Sequence, residues 1–145
     1  MIVPDAAGQL YLIDTSAQAR IQHPTVRAII AGLIADRAAA TAVTVDLEAG
    51  YSGRSASDVR AIAERRQALY VVLPISEAIA QRARDVQVAM AAAGQHRAAG
   101  VIDLLTAAAA EYHRAVVLHY DADFEHIAAI TGQAHKWIVP RGTIT

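Results

Sequence analysis

Cysteine is absent from the 145-residue chain. That excludes disulfide frameworks, thiolate zinc sites and a cysteine nucleophile, and it fits a reducing compartment. Aromatic residues are scarce, at 5% of a chain that is 54% hydrophobic and rich in alanine. Such a balance favours closely packed helices around a sheet over an all-β sandwich. Lysine is nearly missing too: of 13 basic residues, only Lys136 is not arginine. No apolar run approaches the roughly 20 residues of a membrane span. Met1-Ile2-Val3-Pro4-Asp5 lacks the basic head and long apolar body of a signal peptide. The expectation is a soluble, cytoplasmic protein. A net charge of −1 and a pI near 6.6 give no overall pull towards nucleic acid. A high-GC genome accounts for most of the Arg and Ala excess, although Arg also suits bidentate phosphate contacts. If several of the 14 acids gather at one metal site, the remaining surface is net basic.

What is present reads as one domain over residues 1–145, with no internal repeat, linker or charge block. Leu10-Tyr11-Leu12-Ile13 predicts a strand buried on both faces, as at the centre of a parallel sheet. Pro24 opens a predicted helix to about Asp36, with Val26, Ile29, Ile30, Leu33 and Ile34 as its apolar stripe. A second strand is expected at Ala40–Val43, and Thr44 is expected to cap the helix carrying Asp46 and Glu48. Ser55 with Asp58 approximates a capping box for a helix to about Ala68. Then follow a strand at Tyr70–Leu73, a long helix capped by Ser76 and stopped by Gly94, and a helix from Val101 to about His113. A strand at Ala115–His119, a short helix from about Ala122 to Ile130 and a last strand at Lys136–Val139 complete the chain. Strands alternating with helices predict a three-layer α/β fold with a mostly parallel sheet of four to five strands.

The acids decide the function. Asp14 ends the first strand, where an open α/β sheet places its chemistry in the crevice beyond the strands' carboxyl ends. It is equally well placed simply to cap the next helix. Glu48 follows the second strand, and Asp121 and Asp123 follow the fourth. Asp103 lies in Val101-Ile102-Asp103-Leu104-Leu105, a helix apolar nearly all round and therefore expected to be largely buried. A carboxylate there costs roughly several kcal/mol unless a cation or an Arg compensates it. Acids crowded together survive only around a cation, and an oxygen ligand set without Cys or His suits Mg²⁺ or Mn²⁺. Such an ion prepares metal-assisted attack of water on a phosphodiester.

Ile13-Asp14-Thr15-Ser16-Ala17, Asp46-Leu47-Glu48 with Tyr51-Ser52-Gly53-Arg54, Gly100-Val101-Ile102-Asp103-Leu104-Leu105 and His119-Tyr120-Asp121-Ala122-Asp123-Phe124 occur in that order. Together they resemble the PIN-domain ribonuclease toxins of the VapC type, from VapBC toxin–antitoxin pairs. The likeness extends through Trp137-Ile138-Val139-Pro140-Arg141-Gly142. It implies a PIN fold and a Mg²⁺- or Mn²⁺-dependent endoribonuclease cutting structured RNA, typically tRNA or rRNA. It also implies inhibition by a VapB-type antitoxin bound across the active-site groove, and a homodimer. Position by position, Asp14, Glu48, Asp103 and Asp121 match the family's acidic quartet, Asp123 its additional acid and Ser16 the hydroxyl that supports the first Asp. On these roles Asp14, Asp103 and Asp121 are metal ligands, and Glu48 ligates through a water or acts as a general base. Asp123 is either a further ligand or a helix cap. The glycines at Gly50 and Gly53 depart from the family pattern, at about 1 kcal/mol each within a helix.

Arg54, Arg97, His96 and Arg20 are candidate RNA contacts, each weighed against an ordinary solvated surface role. The six histidines lack a ligand pair at helical spacing and read as surface or satisfied core groups. Thr15-Ser16 comes without the partnered base that a nucleophilic serine needs, and Trp137 reads as core. Two rival classes remain. One is a catalytically silent PIN-like module that binds RNA or protein. The other is a phosphoacceptor receiver domain, with Lys136 as its late lysine.

Overall fold

The computed structural model describes residues 8–144, so the reading of Met1–Asp5 falls outside the described residues. The elements in order are β1 (Tyr11–Ile13), α1 (Thr15–Gln18), α2 (Pro24–Ala35), β2 (Ala39–Thr41), α3 (Val43–Tyr51), α4 (Ala56–Leu69), β3 (Val71–Val72), α5 (Glu77–Ala92), α6 (Val101–Tyr112), β4 (Val116–His119), α7 (Asp123–Thr131) and β5 (His135–Trp137). The five strands form one sheet in the order β3-β2-β1-β4-β5, and every pairing is parallel.

β1 is central because its three residues are apolar on both faces and none is exposed. Leu12 faces one core with Ala40 and Val117 beneath α5, α6 and α7. Tyr11 and Ile13 face the other, with Ala39, Val116 and Leu118 against α2. Fully burying a side chain such as Leu12 is worth about 2 kcal/mol. The alanine run Ala107–Ala110 on α6 is buried throughout. Small side chains there let the helix lie close to the sheet and to α5.

Three strands depart most from the expected ones, and of these β5 runs His135–Trp137 rather than Lys136–Val139. β2 starts and stops earlier because Ala42 already serves as the N-cap of α3. Thr44, expected as that cap, instead lies within α3, where its hydroxyl bonds that of buried Thr106 on α6 at 2.8 Å. β3 is only two residues long: Tyr70 ends α4, and Leu73 returns through its N–H to the Thr41 carbonyl at 2.8 Å. Gly53 has a steric reason, since a Cβ there would come within 2.6 Å of Val59 Cγ2 at the α3–α4 corner.

Candidate metal centre

The strand order places the site. From β1 the chain moves to β2 on one side, and β4 takes the other, so the crevice beyond β1 and β4 is a topological switch point. Asp14 leaves β1 into this crevice and Asp121 leaves β4 into it, while Glu48 arrives on α3, Asp103 on the first turn of α6 and Asp123 on the first residue of α7. Ligand oxygens of Asp103, Asp121 and Asp123 lie within 4.8 Å of one another.

Asp14 serves as a cap with one oxygen only. Its Oδ2 accepts from Ser16 N–H at 3.0 Å and from Ser16 Oγ–H at 2.6 Å. Its Oδ1 is buried and accepts no hydrogen bond. Ser16 Oγ in turn accepts from the Tyr120 N–H at 2.9 Å, which ties the end of β1 to the turn after β4. Glu48 Oε1 accepts from Thr15 Oγ–H at 2.8 Å, which brings its carboxylate beside Asp14. Asp121 Oδ1 accepts from Asp123 N–H at 2.9 Å, and Asp123 Oδ2 accepts from Gly100 N–H at 3.1 Å. The N-cap of α7 is Ala122, not Asp123, so the Asp123 carboxylate closes the start of α6 rather than of its own helix.

The electrostatics follow from this crowding. Burial is the largest cause raising the Asp14 carboxyl above its usual range, and the charges of Glu48 and Asp121 add to it against the two Ser16 hydrogen bonds. The Asp103 carboxyl is pushed up to about 8, first by burial and then by the Asp14 charge, a hydrogen bond with Asp123 and the charges of Asp121 and Asp123. Gly100 makes room for the cluster: a Cβ there would stand 3.1 Å from Asp103 Oδ2. An unsatisfied buried carboxylate oxygen next to a knot of hard oxygen donors fits a divalent cation.

The expectation that α6 is buried nearly all round holds from Leu104 to Ala110 with Leu105 partly open, but Val101 and Ile102 in its first turn and Tyr112 at its end are exposed. Ile102 lines an open apolar groove of about 690 Å³ with Val43, Leu47 and Tyr51 of α3, and Glu48 forms part of its wall. Of the candidate RNA contacts, Arg54, His96 and Arg97 are exposed in loops. Arg20 is half-buried: its Nη1–H donates to the Ser16 carbonyl at 2.7 Å, and its guanidinium lies 4.3 Å from the Tyr120 ring centroid. Lys136 lies over the Tyr11 ring at 5.8 Å, on the sheet face away from Leu12.

Two features were missed in the sequence. Arg66 is buried on α4, donating to Asp46 Oδ1 at 2.8 Å and Thr41 Oγ1 at 2.9 Å, and so braces α3 against β2. His119 and His135 meet edge to edge, Nε2 to Nδ1 at 2.9 Å, and His119 Nδ1 lies against the Asp121 N–H. His119 is fully buried, which with His135 lowers its pKa to about 4. Periodicity assigns neither pairing: a single Arg in an amphipathic pattern looks like surface, and the reading of His119 as surface or satisfied core resolves to core without naming its partner.

The family model described as PIN domain matches residues 11–130. Ribonuclease VapC51 of Mycobacterium tuberculosis is 42% identical over 134 residues, 92% of this chain and 96% of the relative. Ribonuclease VapC21 of the same organism is 43% identical over 135 residues, again 92% of this chain and 96% of the relative. Among solved structures, DNA-bound VapBC from Salmonella typhimurium superposes with a TM-score of 0.74 at 16% identity, covering 90% of this chain and 99% of that one. VapBC2 from Rickettsia felis, bound to a promoter DNA fragment, gives 0.72 at 15% identity, covering 89% and 99%.

Proposed function

The chain belongs to the PIN-domain family, among the VapC proteins, and from that premise we propose that it is an endoribonuclease, the toxin of a toxin–antitoxin pair. The observation that carries the reading is the crevice beyond β1 and β4, where Asp103, Asp121 and Asp123 bring oxygens within 4.8 Å of one another and the neighbouring buried Asp14 keeps Oδ1 without a hydrogen bond. Asp14, Asp103, Asp121 and Asp123 would hold Mg²⁺ or Mn²⁺. Such an ion supplies Lewis-acid polarisation of the phosphoryl oxygens and a lowered pKa for the attacking water. The protein's own part is to hold these acids at fixed separation and to exclude competing donors. Ser16 fixes Asp14 from below, and Gly100 leaves Asp103 the space it occupies.

Glu48 is assigned the proton. Thr15 holds its Oε1, and its second oxygen takes the proton from the attacking water as the new P–O bond forms and a ribose oxygen leaves. Arg54, Arg97 and His96 stand exposed for phosphate contacts, while Arg20 is committed to Ser16 and Tyr120 and acts from there. The substrate is a structured RNA, tRNA or rRNA, in the cytoplasm. A VapB-type antitoxin and a second copy of the chain are the protein partners, and the exposed apolar side chains Val43, Leu47, Tyr51, Val101 and Ile102 support such association. No quartet acid is missing, which disfavours a silent PIN-like module, and membership of the PIN family sets aside a receiver domain.

Expression of the wild type and of Asp14→Asn in a bacterium, with mapping of RNA ends, tests the proposal. Growth arrest with one or a few discrete cuts is expected from the wild type and neither from the variant. Equal arrest by both proteins overturns nuclease toxicity. A small reading frame beside the gene that restores growth on co-expression is the expected antitoxin.

A further inference from the structure

Three backbone N–H groups hold the turn that delivers Asp121. Tyr120 N–H donates to Ser16 Oγ at 2.9 Å, Asp121 N–H to His119 Nδ1 at 3.1 Å and Asp123 N–H to Asp121 Oδ1 at 2.9 Å. The middle bond settles the chemistry of His119. A backbone N–H can only donate, so Nδ1 carries no proton and Nε2 must carry one. That Nε2–H donates to His135 Nδ1 at 2.9 Å, which leaves His135 with its own proton on Nε2. The His119 ring is fully buried and is wedged between Phe124 and Trp137, with ring centroids 5.0 Å away on each, so it cannot turn to present the other edge.

We propose that His119 is a positioning residue for Asp121: a ring locked in one tautomer by His135, whose Nδ1 accepts the Asp121 N–H and so sets where that carboxylate stands relative to Asp103 and Asp123. Metal-ligating side chains commonly depend on such outer partners, at 10–100-fold in metal affinity when the partner is removed. Here the partner grips the ligand's own backbone rather than its carboxylate. The inference rests on the metal-dependent nuclease reading only for what Asp121 finally does.

Two substitutions separate positioning from packing. His119→Phe keeps an aromatic ring between Phe124 and Trp137 but has no acceptor. His119→Asn loses the ring but offers an amide oxygen that can take the N–H two residues on, as in an Asx-turn. We expect His119→Phe to retain most of its thermal stability, to lose hydrogen-exchange protection of the Asp121 amide, and to bind Mn²⁺ more than 10-fold more weakly by calorimetry. His119→Asn is expected to melt lower, yet to keep Asp121 amide protection and bind Mn²⁺ within about 3-fold of wild type. A purely structural ring predicts the reverse order, and that order overturns the inference. Should His119→Phe fail to fold, His119→Asn decides alone: an unprotected Asp121 amide or a 10-fold weaker Mn²⁺ affinity sinks the proposal. If the wild type itself binds no Mn²⁺, the metal reading falls, and amide exchange in the two variants still decides the role of His119.

Discussion

Replacing Asp103 by Asn should make the metal-free protein more stable rather than less. The folded carboxyl titrates at about 8 against 3.8 for the unfolded chain, so the folded state binds this proton more tightly. Its contribution to stability is therefore complete below pH 3.8 and is lost as the pH rises to about 8, the range in which the unfolded chain ionises first. Each unit of such a difference corresponds to about 1.36 kcal/mol. The carboxyl is partly exposed, and water and salt screen it, so we expect about 1–3 kcal/mol of the repulsion to be relieved at pH 8. Asn preserves the size of the side chain and can still donate to Asp123. Urea unfolding in EDTA at pH 5 and pH 8 is the assay. Wild-type stability should fall between the two, and Asp103→Asn should fall less, ending above the wild type at pH 8. With Mn²⁺ at ten times its Kd the wild type should regain about 1.4 kcal/mol, and the variant little of it. A variant less stable than wild type in EDTA at pH 8, or one that gains equally from Mn²⁺, refutes the claim that these acids are held against their own repulsion for a cation.

Ser16→Ala removes the hydroxyl that donates to Asp14 at 2.6 Å and accepts from Tyr120 at 2.9 Å. Cleavage rate or Mn²⁺ affinity should fall about 10–100-fold with the fold intact by circular dichroism, and an unchanged affinity and rate would remove Ser16 from the site. Gly100→Ala is compatible with the backbone, whose φ is −68°, but sets a Cβ 3.1 Å from Asp103 Oδ2. A shift of a few tenths of an ångström should cost less than the roughly 100-fold of a 1 Å displacement. A several-fold loss of Mn²⁺ affinity is expected by calorimetry, and no loss would show that Asp103 has room to spare.

Much of the fold was legible because it rests on local patterns. The continuous apolar run Tyr11–Ile13 announced the central strand, and Ser55 and Ser76 cap α4 and α5 as their side chains predict. Thr44 misled because a threonine near a helix start looks like a cap, whereas its partner Thr106 lies 62 residues away. The acids were legible as a set, since each follows a strand of a parallel sheet or opens the helix facing it. The division of labour inside the set was not. Whether Asp14 caps or faces the crevice depends on its two oxygens separately, and where Asp123 spends its carboxylate depends on Gly100, in another segment. Likewise the pairing of Arg66 with Asp46 and of His119 with His135 exists only in three dimensions.

The strand order also governs when the crevice can assemble. β1 has β2 for one neighbour, but its other neighbour is β4, paired through Tyr11–Val116, Leu12–Val117 and Ile13–Leu118. Closing a span of that length costs about 4 kcal/mol of chain entropy, and such distant pairings form late. Until that pairing forms, β1 is open on its β4 side and Asp14 has no Asp121 across from it. The crevice therefore cannot gather its acids before β4 has docked beside β1.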